Sequence, residues 1–231
     1  GDHECLTWEE VNEKVRAGMY AQLRHGSVGS YVKSIISECK EKIHTIGDFM
    51  YSTDELSPDQ MYKEGYMDAK VRAAIEGGCD PILAIRAGSL NAARTLRLDH
   101  IIGSIAPGKR ADIVLIGDLK KVDVNKVFVD GELLVNNGKY LKDIPKYDYP
   151  SHLMNSIKVP FKEFSPEIIK VKAPSDKPVK VRVIDYIENS LFAAEHIAEM
   201  VPVNGYIETD ESRDILKLFT MDRHDILIVT S

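Results

Sequence analysis

The sequence has little cysteine, no long apolar run and no excess of basic residues. Its 231 residues include three cysteines, too few and too widely spaced for a disulfide framework or a CxxC zinc site. No run of 18 apolar residues occurs, which excludes a membrane-spanning helix. Thirty basic and 36 acidic residues give a net charge of -6, whereas a nucleic-acid-binding protein presents a basic surface. We therefore expect a protein of the reducing cytoplasm that binds neither nucleic acid nor membrane.

What is present is the mix of a globular protein. Apolar residues make up 44% and charged residues 29%, enough for a core, and the length suits one or two domains. The first residues, Gly1–Cys5, lack the basic and apolar regions of a signal peptide. They open abruptly on Asp-His-Glu, three side chains that can bind a metal ion or move a proton. This opening, together with the length, leads us to expect part of a larger protein.

Extended runs alternate with helical patterns over the first hundred residues. A capping box at Thr7–Glu10 starts the first helix, and apolar residues at three- and four-residue steps between Trp8 and Met19 predict its buried face. A short segment over 20–24 and a strand over 46–51 separate further helices, which are predicted over 28–43, from Ser57 to Gly77 and from Asp80 to Leu98. The repeated order of strand, loop and helix predicts βα units with parallel strands.

The pattern changes after residue 100. Asp130-Gly131 between two apolar runs predicts a hairpin with a type I′ turn, so residues 100–140 are expected to form a small antiparallel element. Residues 141–178 hold six of the ten prolines, which is typical of a linker. A new unit begins near residue 179, with predicted strands at 181–184 and 214–219 and either a helix or an extended run at 191–200.

His3 and Asp54 are the residues best placed for chemistry. His3 directly precedes a capped helix, and Asp54 follows the strand that ends near Tyr51, so both lie where a parallel strand ends. In a βα barrel these strand ends converge on the active site. Imidazole nitrogen and carboxylate oxygen suit a divalent metal, and the carboxylate of Asp54 can take a proton from a water that the metal acidifies. The plain alternative is a solvated histidine and a helix-capping aspartate.

Four further residues adjoin this pair. Arg24 and Ser27 end the middle strand, where they either bind substrate or stabilise a loop. Glu4 and Glu55 flank the two candidate ligands, either as supporting acids or as carboxylates that complement helix dipoles. The remaining histidines show no metal-ligand spacing and are interpreted as structural or solvated: His25, His44, His100, His152, His196 and His224.

Four segments follow one another in an informative order. They are Asp-His-Glu at 2–4 with Arg-His-Gly-Ser at 24–27, Ser-Thr-Asp-Glu at 52–55, Val-Arg-Ala-Ala-Ile-Glu-Gly-Gly at 71–78 and Ala-Pro-Gly-Lys-Arg-Ala-Asp at 106–112. In this order they resemble the adenine deaminase family of the amidohydrolase superfamily. The last segment resembles many amidohydrolases, whereas the first three point to adenine deaminases over dihydroorotases and imidazolonepropionases. The resemblance covers about residues 1–140 and, more weakly, 181–224.

The resemblance implies an α/β fold: the C-terminal part of a (β/α)8 metal-dependent hydrolase barrel, composite β-sandwich elements and the start of a C-terminal α+β domain. On this basis residues 1–99 would hold the last three βα units of the barrel, and residues 100–140 would be strands of the sandwich. Residues 141–178 would be a linker or crossing segment, and residues 179–231 would begin the C-terminal domain.

The activity that the resemblance implies is hydrolysis of adenine to hypoxanthine and ammonia in purine salvage. It implies a binuclear centre of manganese or iron. Separately, the exposed edges of the parallel strands lead us to expect a homo-oligomer. His3 would be the metal ligand after the sixth barrel strand, and Asp54 the metal-binding and proton-shuttling residue after the eighth. Glu4, Arg24, Ser27 and Glu55 would be substrate-adjacent, although Glu55 departs from the aspartate more usual at its position.

The resemblance also shows which family features the sequence lacks. The His-x-His pair of the first strand, the bridging acidic residue and the fifth-strand histidine have no counterpart, and about three of eight βα units can be placed. Residues 225–231 are unlike the family. We therefore expect the isolated chain to be inactive. The alternatives are a non-catalytic fragment or assembly partner, and an amidohydrolase that acts on another purine or on a cyclic amide.

Overall fold

The chain forms two compact units. The computed structural model describes residues 1–39, 42, 49–154, 156–158, 165–188, 190–221 and 228–230. The first unit comprises residues 1–143 with 188–191, and the second comprises residues 144–187 with 192–231. Within the described residues, no helix has the length and apolar character needed to cross a membrane.

Three parallel segments open the first unit, each followed by a helix. Asp2 pairs with Ala21 in a single parallel bridge, and strand β1 (Gln22–Arg24) pairs in parallel with strand β2 (Met50–Ser52). The helices that follow the three segments are α1 (Trp8–Arg16), α2 (Val32–Cys39) and α3 (Pro58–Glu64). This alternation confirms the expected α/β fold class.

The capping box at the start of α1 forms with a shifted partner. The Thr7 hydroxyl accepts a hydrogen bond from the Glu10 amide at 3.3 Å, as predicted. The Glu10 carboxylate, however, accepts from the Leu6 amide at 2.8 Å, one residue before the usual partner. Trp8 is buried on the core side of α1, but Met19 lies beyond the end of the helix and is 40% exposed, so the predicted apolar face does not extend that far.

The two long helices predicted after residue 57 are each divided in the structure. Helix α3 ends at Gly65, whose φ of +99° is left-handed, and α4 (Met67–Glu76) begins two residues later. The predicted helix over 80–98 is α5 (Pro81–Ala87) followed by α6 (Leu90–Thr95).

Two further predicted boundaries shift. The helix predicted from residue 28 begins at Val32, and its predicted positions 40, 41 and 43 lie outside the described residues. The strand predicted over 46–51 is observed at 50–52, and its positions 46–48 also lie outside them.

Strand β2 is fixed to the later helices through side chains. The Tyr51 hydroxyl donates to the Ala84 carbonyl of α5 at 3.0 Å, and the buried Asn91 amide of α6 donates to the Phe49 carbonyl at 2.8 Å. Beneath the strands lies a core of side chains with at most 1% exposure: Val11, Leu23, Val32, Ile35, Ile36 and Cys39. This close packing restricts the movement of β1 and β2, and therefore of the residues at their carboxyl ends.

A four-stranded antiparallel sheet completes the first unit. Its strands pair in chain order: β3 (Ile113–Ile116), β4 (Val124–Val129), β5 (Glu132–Asn136) and β6 (Lys139–Tyr140). The predicted hairpin turn is present, with φ of +50° at Asp130 and +81° at Gly131. The Arg110 guanidinium makes a two-pronged ion pair with Asp130 at 2.8 and 3.0 Å, which ties the preceding loop to this turn.

The second unit is built from short antiparallel pairs. The largest joins β8 (Val179–Tyr186) to β9 (Ala193–Met200), so the extended alternative predicted for this run is the observed one. The strands of the smaller pairs are β7 (Val171–Lys172) with β10 (Tyr206–Ile207), and β11 (Phe219–Met221) with β12 (Ile228–Thr230). The strand predicted over 214–219 is wrong, because Ile215 makes only an isolated bridge to Asp210 and β11 begins at Phe219.

Candidate metal and proton-transfer site

The parallel strands bring the predicted site residues to one edge of the first unit. His3 follows the Asp2 bridge, Arg24 is the last residue of β1, and Asp54 lies two residues after β2. Because the three segments are parallel and adjacent, their carboxyl ends lie side by side. Side chains that are far apart in the sequence are thus brought close together in space.

The imidazole of His3 lies between two carboxylates. Its Nε2 atom is 3.1 Å from Glu4 Oε1 and 3.8 Å from Asp54 Oδ2. The side chains of His3, Glu4 and Asp54 are 39%, 55% and 42% exposed, so the group is open to solvent and to a ligand.

The guanidinium of Arg24 contacts the same two carboxylates, those of Glu4 and Asp54. Its Nη1 atom lies 2.6 Å from Asp54 Oδ2 and 3.2 Å from Glu4 Oε1, and its Nη2 atom is ion-paired with the Glu55 carboxylate. The Arg24 side chain is only 5% exposed. We call Glu4, Asp54, Glu55 and Arg24 together the carboxylate cluster.

Glu55 is the most firmly held carboxylate of the cluster. Its Oε1 atom accepts hydrogen bonds from the amides of Val28 at 2.7 Å and Gly29 at 3.1 Å. Partial burial raises the pKa of Glu55, but the backbone amides and the Arg24 guanidinium outweigh burial and leave the pKa below its ordinary value. Glu55 is therefore an anion at neutral pH.

The backbone of Asp54 adopts a conformation that is uncommon for residues other than glycine. Its φ of +51° is left-handed, a conformation that aspartate and asparagine adopt more readily than most residues. This turn directs the chain from β2 towards α3 and leaves the carboxylate at the edge of the strands, where it meets Arg24 and His3.

The remaining predicted residue, Ser27, takes another position. Its hydroxyl accepts a hydrogen bond from the Ser57 amide at 2.7 Å, at the start of α3, and its own amide donates to the Glu55 carbonyl at 3.0 Å. Ser27 therefore joins the two loops. Among the described residues, it does not belong to the group of side chains that meet at His3.

The structure shows one contact that sequence reasoning did not include. The Asp2 carboxylate is ion-paired with Lys14 of α1 and accepts from the Glu4 amide at 2.9 Å. The hydrogen bond from Lys14, with that from the Glu4 amide, lowers the pKa of Asp2. Asp2 thus restrains the backbone that carries His3 and Glu4. The sequence indicates this role only by placing Asp2 next to these two residues.

The other histidines lie outside this cluster. His25 is half-buried, and burial followed by the charge of Lys70 lowers its pKa. His196 pairs with Asp185 in the second unit at 2.8 Å, and His100 and His152 are exposed. His44 and His224 lie outside the described residues.

The donor atoms fit a divalent metal. His3 Nε2 and one oxygen each from Glu4 and Asp54 all lie within 4.8 Å of one another. Bonds of about 2.0–2.2 Å to one ion place neighbouring ligand atoms roughly 3–4 Å apart, close to the spacing seen here. An imidazole with carboxylates is a donor set for zinc, manganese or iron.

Known proteins share this sequence pattern. Residues 27–134, which include Asp54 and Glu55, match the amidohydrolase family. The chain is 35% identical over 222 residues to an adenine deaminase of Clostridium botulinum (strain ATCC 19397 / Type A), and 34% identical over 226 residues to one of Rubrobacter xylanophilus. These alignments cover 96% and 97% of the chain but 37% of each relative's length.

Solved structures also resemble part of the chain. A beta-aspartyl dipeptidase of Fervidobacterium islandicum AW-1 matches with a TM-score of 0.47 and 20% identity, over 60% of this chain and 38% of that one. An adenosine deaminase from Xanthomonas campestris with bound zinc matches with a TM-score of 0.39 and 17% identity, over 59% of this chain and 36% of that one.

Metal dependence is general in the amidohydrolase superfamily. The sequence matches confirm the resemblance: residues 27–134 carry amidohydrolase-family sequence, and almost the whole chain is related to adenine deaminases.

Proposed function

We propose that this chain supplies part of the active site of an adenine deaminase, which hydrolyses adenine to hypoxanthine and ammonia. The observation that carries the proposal is the meeting of His3, Glu4 and Asp54 at one strand edge of a chain related to adenine deaminases. Since the chain spans 37% of those relatives, the activity is proposed for a protein in which the remaining ligands are present.

In this proposal His3 and Asp54 would bind the metal, which we take to be manganese or iron. When bound, a divalent metal would supply a nucleophile by lowering the pKa of water. Asp54 would accept a proton from the attacking water at its exposed carboxylate and pass it to the departing amino group. Glu4 would offer a further ligand oxygen, Glu55 holds negative charge beside the ligands, and Arg24 stays substrate-adjacent in this scheme.

Three further parts of the proposal concern the surroundings of the site. We propose the barrel, sandwich and C-terminal domain boundaries given above for the assembled protein. The cytoplasmic location rests on three cysteines that are free and buried. A homo-oligomer is expected because the edges of the parallel strands favour association.

The decisive experiment is reconstitution. The 231-residue chain is co-expressed with the remaining segment of an adenine deaminase relative, and ammonia release from adenine is measured together with bound metal and size-exclusion volume. We expect activity and an oligomer, with Asp54→Asn at least about 100-fold slower because proton transfer is lost. The matched control is Asp59→Asn, an exposed residue of α3 paired with Lys63, which should leave the rate unchanged.

The outcomes separate the alternatives. Metal and ammonia release with adenine support the deaminase. Activity only with another purine or a cyclic amide changes the substrate but keeps the enzyme class. An assembled protein without metal or activity supports a non-catalytic assembly partner, and enzyme-like activity of the isolated chain contradicts the expectation that it is inactive alone.

A further inference from the structure

We propose that Arg24 is a positioning residue that shares the carboxylates of Glu4 and Asp54 with the metal ion, and that Glu55 draws Arg24 away from them. Cation affinity at the site is thereby set by the balance between these two partners of Arg24. The inference rests on the proposed function for the identity of the cation as the metal of that site.

The first support is the position of the guanidinium. One arm of Arg24 contacts Asp54 at 2.6 Å and Glu4 at 3.2 Å, and the other arm is paired with Glu55. Two of the three carboxylates that Arg24 contacts are the carboxylate donors of the candidate metal site. A metal ion must therefore compete with Arg24 for Asp54 and Glu4.

The second support is the burial of Arg24. Its side chain is 5% exposed, and its guanidinium is ion-paired with carboxylates that follow two different strand ends. Electrostatic interactions of a buried charge are screened far less than those of exposed charges. The guanidinium thus acts on the ligands at close range.

The third support is charge. Three carboxylates and one guanidinium give the carboxylate cluster a formal charge of -2, which one divalent cation neutralises. Removal of the guanidinium makes the cluster more negative and favours the cation. Removal of the Glu55 charge makes the cluster less negative and leaves Asp54 and Glu4 as the ion-pair partners of Arg24 among the described residues.

Glu55 is suited to this role because it is anchored independently. The amides of Val28 and Gly29 hold its Oε1 atom, while the Arg24 contact is made by Oε2. Glu55→Gln keeps an oxygen for the two amides but loses the charge that attracts Arg24. The variant therefore tests the pairing with little change to the loop.

The test is a titration of the 231-residue chain with Mn²⁺, followed by the electron paramagnetic resonance signal of the free ion. We expect Arg24→Gln to bind Mn²⁺ about tenfold more tightly and Glu55→Gln about tenfold more weakly. Arg24→Lys keeps the charge but not the two-armed geometry, so its affinity should lie between those of the unchanged chain and Arg24→Gln. Glu76→Gln, which removes an exposed carboxylate paired with Lys33, is the charge-matched control and should have no effect.

A double variant distinguishes positioning from simple charge. If Glu55 acts through Arg24, Glu55→Gln should lose most of its effect in the Arg24→Gln background. Thermal unfolding monitored in parallel shows whether each variant folds. If Arg24→Gln does not fold, Glu55→Gln and Arg24→Lys still decide, because Glu55→Gln must weaken Mn²⁺ binding and Arg24→Lys must not weaken it.

The contrary results are specific. Weaker binding in both Arg24→Gln and Glu55→Gln would show that the pair only maintains the loops, and it would overturn the inference while leaving the proposed function intact. An unchanged affinity in Glu55→Gln also overturns it. Absence of Mn²⁺ binding in every form, the unchanged chain included, overturns the inference, whereas the metal site of the proposed function is decided separately by the metal content of the reconstituted protein.

Discussion

The two units differ in how completely they bury their apolar side chains. In the first unit Val11, Val32, Ile35 and Ile36 are completely buried, whereas in the second the inward-facing valines of β8 remain partly exposed. Helices packed on parallel strands enclose a core, but a two-stranded antiparallel sheet leaves much of its surface in water. The candidate site belongs to the unit with the more completely buried core, and a rigid support is what a precise arrangement of site residues requires.

The largest expected difference between the units comes from removing core volume. Ile35→Ala in α2 should lower the free energy of unfolding by about 3 kcal/mol, because the side chain is completely buried and leaves a cavity. Val181→Ala in β8 should cost about 1 kcal/mol or less, since this side chain is only partly buried. Denaturant-dependent hydrogen exchange, read separately in each unit, measures both. Equal losses would contradict the difference in packing.

The first unit also buries the side chain of a lysine, Lys70. Lys70 of α4 is completely buried, and its Nζ donates to the Tyr66 carbonyl at 3.1 Å and lies 4.6 Å from the Tyr66 ring centre. Burial lowers the pKa of Lys70 to about 8. The unfolded chain therefore binds a proton more tightly than the folded chain between pH 8 and about 10.5, so folding becomes more favourable as pH rises through this window.

Lys70→Met removes this cost. At pH 7 the variant should be more stable than the unchanged chain by about 2 kcal/mol, and the advantage should vanish as the pH approaches about 10.5. Chemical denaturation across this range measures it. Lys63→Met, at an exposed position of α3, is the control and should not reproduce this gain in stability. A constant advantage for Lys70→Met would refute the burial account.

The smallest expected effect is one that the two units share. Gly131 in the first unit and Gly205 in the second have φ of +81° and +79°, and an added Cβ would meet no atom nearer than 3.8 Å at the former and none within 4 Å at the latter. Alanine at either position should cost about 1 kcal/mol through backbone strain alone. Thermal unfolding of Gly131→Ala and Gly205→Ala checks this. A much larger loss at Gly131 would show that packing in the first unit also affects its turns.

What the sequence predicts well is local. The Thr7 cap and the Asp130-Gly131 turn depend on neighbours within four residues, and both are present. The Asn137-Gly138 turn between β5 and β6 has the same signal, with φ of +48° and +76°. The break at Gly65 was less predictable, because glycine inside a helical pattern is often tolerated.

What the sequence does not predict is the set of contacts across distant segments. His3 and Asp54 were placed at strand ends by the pattern, and parallel pairing brings them together. The pairing of Arg24 with Glu4, Asp54 and Glu55 requires three segments to meet, which no local spacing encodes. The burial of Lys70 is likewise a product of helix packing and not of its neighbours in sequence.

The left-handed backbone at Asp54 has a consequence for how this position can vary in evolution. Of the acidic residues, aspartate tolerates a φ of +51° best, and asparagine tolerates it equally well, so a single-base change from one to the other removes the acid without disturbing the turn. If Asp54 carries the proposed proton transfer, a lineage with asparagine here would lose that chemistry while its fold persisted. Glutamate would be disfavoured by the backbone even though it keeps the charge.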